Sequence, residues 1–195
     1  MDNKLKIINY LGKNMGEAIT MHMLSNLLFI PYTSFHRAIN TMKDMVITEA
    51  IGKAKIIRLN AANPAAVSYL AVSSHEEAKE FLEKNPVIKE ISRELETGSI
   101  ILLFGSYAKG KPTKRSDIDI MVINKKGNRD VSFSKHELLF RKQINPIYVS
   151  EQEFAEMLKA NEENVGKQAL KSNIVLANPE RFWGMVLNGV RQKGV

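Results

Sequence analysis

The run Asp117–Val122, DIDIMV, sets two aspartates one residue apart in a stretch that is otherwise apolar and largely β-branched. Successive side chains of a strand point to opposite faces, so Asp117 and Asp119 share one face while Ile118, Ile120 and Val122 share the other. Such a strand has to bury its Ile-Ile-Val face in a core, which turns both carboxylates outward into a cleft. Two carboxylates held that close repel and require a counter-charge. Hard divalent cations, bound by a few carboxylates together with substrate phosphates, supply it. The pair therefore points to an Mg²⁺ site of the phosphoryl- or nucleotidyl-transfer kind, with Asp117 and Asp119 as metal ligands and a two-metal site as one form it can take.

The preceding segment, GSIILLFGSYAKG, reads as a buried strand over 99–104 that runs into a Gly-Ser turn and a short helix. A helix opening after Gly-Ser presents free backbone N–H groups and the positive end of its dipole, which suits a triphosphate. Gly105 permits close approach of the phosphate and Ser106 adds a hydroxyl. Lys109, Lys111, Lys114 and Arg115 fall in the loop between the two halves, where a solvated surface accounts for them without a catalytic role.

Composition removes several classes of function. The chain of 195 residues can bury one large core or two small ones without staples. Cysteine is absent, which excludes a disulfide framework and a cysteine-rich zinc site, and nothing requires an oxidising compartment. The N-terminal MDNKLKIINYLGKNMGEAIT lacks the apolar core of a signal peptide, and apolar runs such as SIILLF fall far short of the roughly 20 residues that span a membrane. A cytoplasmic protein with no membrane partner is expected.

Helices are predicted over 3–13, 20–28, 32–43, 64–72, 75–84, 86–97, 135–142, 151–160 and 179–190, and strands over 46–51, 54–59, 99–104, 117–123 and 144–149. The start signals are three Asn-Pro pairs at 63–64, 85–86 and 178–179 and the capping boxes Ser74-x-x-Glu77, Ser134-x-x-Glu137 and Ser150-x-x-Glu153. Phe182, Trp183, Val186 and Val190 form an apolar stripe that reads as core. The hinge NAANPAAV marks a boundary between domains at 1–63 and 64–195, the second with a helical lead-in over 64–97 and its core motif at 99–123.

Residues 1–63 carry eight Lys and Arg against four Asp and Glu, which is +4 of the net charge of +7 on a third of the chain. Such an excess favours a polyanion as partner. The order helix, helix, tight turn, helix, hairpin over residues 4–60 resembles the winged helix-turn-helix domains of prokaryotic transcriptional regulators. In the third helix Phe35, Ala38, Ile39 and Met42 recur at core spacing, leaving Tyr32, Thr33, His36, Arg37, Asn40 and Lys43 outward. The resemblance makes these residues, with Lys53 and Lys55 at the hairpin tip, the expected contacts to double-stranded DNA, and a homodimer on paired half-sites follows.

GSYAKGKPTKRSDIDIMV, with its preceding apolar strand and with Ser116 before the first aspartate, resembles the Gly-Ser…Asp-x-Asp signature of the nucleotidyltransferase superfamily that includes DNA polymerase β and kanamycin nucleotidyltransferase. The resemblance implies an α+β fold class: an N-terminal winged helix-turn-helix plus a C-terminal nucleotidyltransferase-fold domain whose mixed sheet is flanked by helices. It implies Mg²⁺ and NTP binding, with Gly105 and Ser106 on the β- and γ-phosphates, and transfer of a nucleoside monophosphate to an acceptor. Active members carry a third carboxylate on a neighbouring strand, and the strand in that place here is QINPIYVS, with Asn145 at the position. An amide brings no negative charge and takes no proton at neutral pH. Glu151 and Glu153 are the nearest alternatives, although the capping box explains them. Two functions stay open: an NTP-dependent transferase with a protein or small-molecule acceptor, and a DNA-binding regulator, or an antitoxin paired with a separate toxin chain, whose nucleotidyltransferase domain is catalytically degenerate.

Overall fold

The structure is a computed structural model that describes residues 1–52, 54–95 and 98–191. Lys53 and the side chain of Val190 lie outside the described residues. Asp2 opens α1 (Asn3–Lys13) by accepting hydrogen bonds from the N–H groups of Lys4 and Leu5. A two-residue strand, β1 (Ile19–Thr20), leads into α2 (Met21–Leu27), whose first turn is capped by the Thr20 hydroxyl. Then follow α3 (Tyr32–Asn40), a 3₁₀ turn (Lys43–Met45) and the hairpin β2 (Val46–Ile51) and β3 (Ala54–Leu59). The three strands form an antiparallel sheet in the order β1-β3-β2. Phe35, Ala38, Ile39 and Met42 are buried, as their spacing predicts.

A long helix, α4 (Ala66–Lys84), and α5 (Pro86–Arg93) lead to the larger sheet. Its strands are β4 (Ile100–Phe104), β5 (Ile118–Asn124), β6 (Ile144–Ser150) and β7 (Ile174–Ala177), in the order β6-β5-β4-β7. β4 is antiparallel to β5 and β7, and β5 is parallel to β6, so the sheet is mixed. The helices α6 (Gly105–Ala108), α7 (Ser134–Phe140), α8 (Glu151–Lys159), α9 (Val165–Lys171) and α10 (Pro179–Arg191) complete the α+β architecture.

Both faces of the sheet are buried. Ile101, Leu103, Ile118, Ile120 and Val122 join Ala78, Ile88, Ile91 and Phe133 in one core. The alternate residues Ile100, Leu102, Phe104, Met121 and Ile123 join Phe154, Phe182, Trp183 and Val186 in a second core, which continues through Leu70 into Ile7, Ile8, Phe35 and Ile57. Period-two alternation therefore sends the carboxylate face of β5 into that second core beyond Asp119, and Asp117 and Asp119 sit where the apolar cover ends.

Several local expectations are corrected. The helices predicted at 64–72 and 75–84 are one. Ser74 opens no helix; it is buried inside α4 and accepts a hydrogen bond from Trp183 Nε1 at 2.8 Å, while Ser73 Oγ returns to the Leu70 carbonyl. α3 stops at Asn40, because Thr41 turns both its N–H and its hydroxyl back onto the last turn, so Lys43 stands in the 3₁₀ turn. α7 lacks the box expected at Ser134; Glu137 instead accepts from the N–H of Ile144 at 2.9 Å and fixes the start of β6. α9 and β7 were not expected, although Asn164 caps the first and β-branched residues make the second.

Candidate functional site

β4 delivers its C-terminal end to a turn that only glycine can make. Gly105 has φ +70°, and a Cβ there would collide with the carboxylate of Asp119. The antiparallel register explains the closeness, since Phe104 is paired with Asp119. Ser106 follows, half-buried, in the single turn of α6. That helix is four residues long, so its dipole contributes little; its first-turn N–H groups, which have no intrahelical acceptor, are the groups that could meet an anion.

Asp117 and Asp119 are both half-buried on one side of β5, flanked by the fully buried Ile118 and Ile120. The parallel register sets Asn145 of β6 opposite Asp119, while its side-chain Nδ2 donates to Asp117 Oδ2 at 3.3 Å. Gln143 Nε2 donates in turn to Asn145 Oδ1 at 3.1 Å. Gln143 is the residue of this cluster that sequence reasoning missed; its signal is the period-two spacing before Asn145. Among the described residues no Lys, Arg or His forms an ion pair with either aspartate. The two charges thus have an amide for a neighbour and, among the described residues, no ion-pair partner, a donor set that fits a hard metal ion supplied from outside. Among the described residues no group of three or more His, Cys, Asp or Glu side chains gathers, in keeping with Asn at position 145.

Glu151 and Glu153 do not replace a carboxylate at Asn145. They stand at the far end of β6, where Glu151 pairs with Arg181 and Glu153 completes the capping box with Ser150. Five residues of strand lie between Asn145 and Glu151, six steps or about 20 Å at the usual rise.

The loop between α6 and β5 is held by its backbone. Ser116 Oγ accepts from the Thr113 N–H at 2.8 Å, and Lys142 Nζ donates to the Lys114 carbonyl at 2.8 Å. Lys109, Lys111, Lys114 and Arg115 are exposed. On α3, Tyr32, Thr33, His36, Arg37 and Asn40 are exposed, as are Lys43 on the 3₁₀ turn and Lys55 on β3. Asn40 Nδ2 and His36 Nδ1 lie 3.1 Å apart, and Tyr32 is tilted over His36. Among the described residues no helix is long and apolar enough to cross a membrane.

No curated protein and no solved structure matches the chain. Residues 76–181 match the family described as "Polymerase beta, Nucleotidyltransferase". The match covers more than half of the chain and contains the Gly105-Ser106 turn, both aspartates and Asn145. With the mixed sheet and the seating of Asp119 against the Gly105 backbone, it establishes that the chain belongs to the polymerase β nucleotidyltransferase family.

Proposed function

We propose that the protein transfers a nucleoside monophosphate from an NTP to an acceptor, the acceptor oxygen bonding to the α-phosphorus as the α–β phosphoanhydride bond breaks and pyrophosphate leaves, with Mg²⁺ held by Asp117 and Asp119. The observation that carries this reading is the closeness of the Asp119 carboxylate to the Gly105 backbone, one residue from the Ser106 hydroxyl, with no ion pair to either aspartate among the described residues. In this assignment Gly105 and Ser106 hold the β- and γ-phosphates through backbone N–H and hydroxyl groups, while the aspartates hold the metal. A bound Mg²⁺ would neutralise the carboxylate pair and the developing charge on the transferred phosphoryl group. Asn145 orients Asp117 through its Nδ2 but cannot accept the acceptor's proton at neutral pH. A general base contributes about a hundredfold to ten-thousandfold, so transfer is slower here by about that factor than with a carboxylate at the position.

Calorimetric titration of each NTP with and without Mg²⁺, on wild type and on Asp117→Asn/Asp119→Asn, tests the site without knowledge of the acceptor. Metal-dependent binding by wild type, lost in the variant, is the expected result; wild type that is folded and binds no NTP overturns the proposal.

The amide at 145 and the exposed polar face of α3 favour a second reading. Residues 1–63 would be a winged helix-turn-helix domain, with α3 entering the major groove of DNA and the hairpin as wing, and 64–195 a nucleotide-sensing domain. Support comes from the order α1, β1, α2, α3, β2, β3 and from the exposure of Tyr32, Thr33, His36, Arg37, Asn40, Lys43 and Lys55. A homodimer on paired half-sites, or a separate toxin chain as partner, belongs to this reading. It predicts DNA binding that weakens steeply with salt and that loses affinity in Arg37→Ala/Lys55→Ala; equal binding by that variant at moderate salt removes the face from consideration.

A further inference from the structure

Phe29 is 94 % exposed, more than any other large apolar side chain among the described residues, and its backbone is left-handed, with φ +53°. It sits where α2 ends. The N–H of Phe29 donates to the Asn26 carbonyl and that of Ile30 to the Ser25 carbonyl, the paired bonds of a helix end whose left-handed residue is ordinarily glycine. Ile30 turns into the core, so the turn itself needs no ring at position 29. A phenylalanine there accepts backbone strain and leaves its ring in water, two costs that a contact outside the chain offsets. Met23 and Leu27, 62 % and 52 % exposed, extend the ring into a stripe, since they stand four residues apart on one side of α2.

The stripe carries no charge. Residues 18–36 contain no Asp, Glu, Lys or Arg, the longest such run in the chain, although a quarter of all residues are charged and the net charge is +7. Such a face offers nothing to a polyanion, and it is where two equally charged copies can meet without repulsion. Met and aromatic side chains with charge excluded are the composition of interface centres. We infer that the outer face of α2, with Met23, Leu27 and Phe29, is the surface on which a second copy of this chain docks. Leu27 stands between the other two, so antiparallel pairing about Leu27 is self-complementary and sets Met23 against the partner's Phe29. Sulfur beside an aromatic ring is a favourable contact. Three side chains offer less than the roughly 800 Å² per partner of a standard interface, so the dimer is weak and reversible. This face gives a surface to the homodimer of the second reading without depending on DNA or NTP binding. α2 packs on α3, β1 and β3, none of which carries the carboxylate site.

The test is sedimentation equilibrium of the full chain from about 5 µM to about 500 µM, the range in which a weak dimer dissociates. The average mass of wild type is expected to rise with concentration from the monomer towards twice that value. Added salt is expected to leave the association as strong or to strengthen it, because no ion pair holds the face. Phe29→Gly is expected to stay monomeric throughout, with a melting temperature no lower than that of dilute wild type, since glycine relieves the left-handed backbone. A ring with a merely structural role would lower it. Leu27→Lys and Leu27→Glu are each expected to be monomeric alone and to associate when mixed, because the pairing sets position 27 against itself; this pair also serves should Phe29→Gly fail to fold. Wild type that is monomeric up to about 500 µM, or Phe29→Gly that associates as wild type does, overturns the inference. So does association that weakens as salt is raised, which would assign it to charged groups elsewhere. A monomer that instead cosediments with phosphatidylcholine vesicles would give the face to a lipid surface and overturn the inference as well.

Discussion

Gly105 meets two demands at one position: a left-handed backbone and the carboxylate of Asp119 where a Cβ would stand. Gly105→Ala is therefore expected to cost about 1–2 kcal/mol from the backbone alone and to push Asp119 out of place. A lowered melting temperature with the fold retained and metal-dependent NTP binding lost is the expected pattern; binding at wild-type affinity would mean that Asp119 need not touch the turn. Asn145 invites the opposite change. Asn145→Asp replaces a hydrogen bond to Asp117 by a third negative charge. The variant is expected to be less stable than wild type in chelator and to gain more stability from Mg²⁺, with transfer faster by about a hundredfold to ten-thousandfold. Thermal melts with and without Mg²⁺ measure the first part, and equal metal effects on both proteins would place Asn145 outside the metal site.

Among the elements, α8 has the clearest start. Ser150 Oγ accepts from the Glu153 N–H at 3.1 Å, and the Ser150 N–H and hydroxyl donate to the Glu153 carboxylate. Those donors, the backbone N–H first, hold the Glu153 carboxyl below its ordinary range. Its contribution is thus present above the ordinary carboxylate range and lost as pH falls through the lowered value. Ser150→Ala is expected to cost about 1 kcal/mol near neutral pH, read from denaturant midpoints, and less in acid. Ser150 was legible because the bonds of a cap are local. Ser74 followed the same sequence rule and failed, since its hydroxyl serves Trp183, 109 residues away. No local pattern reports a partner at that distance.

At the scale of the molecule Lys13 joins the N-terminal helices to the rest. Its ammonium, 8 % exposed as a residue, donates to both oxygens of Glu77 on α4 and to the Asn173 carbonyl at 2.7 Å. Burial pushes its pKa down, against the pull of Glu77. The unfolded chain then binds more protons than the native one between that lowered value and the ordinary 10.5, so this group adds stability as pH rises through the window. The stability of wild type relative to Lys13→Met is expected to increase from neutral pH towards that range. Taking the difference cancels Tyr10, whose pKa burial raises and whose effect has the opposite sign. A flat or falling difference in paired denaturation curves would place the Lys13 pKa at or above its ordinary value.

By itself the sequence determined the parts whose cause is short-ranged: the period-two burial of Ile118, Ile120 and Val122, the common side of Asp117 and Asp119, the core face of α3, and the turn at Gly105-Ser106. Only the tertiary structure decided what lies across from these residues. It pairs Asn145 with Asp119 and bonds it to Asp117, gives Glu151 to Arg181, and puts Asn9 and Asn173 in the lining of one cavity. Strand register, ion pairing and cavity walls are set by segments far apart in the chain. Their free energy depends on closing the whole fold, which no local window of sequence contains.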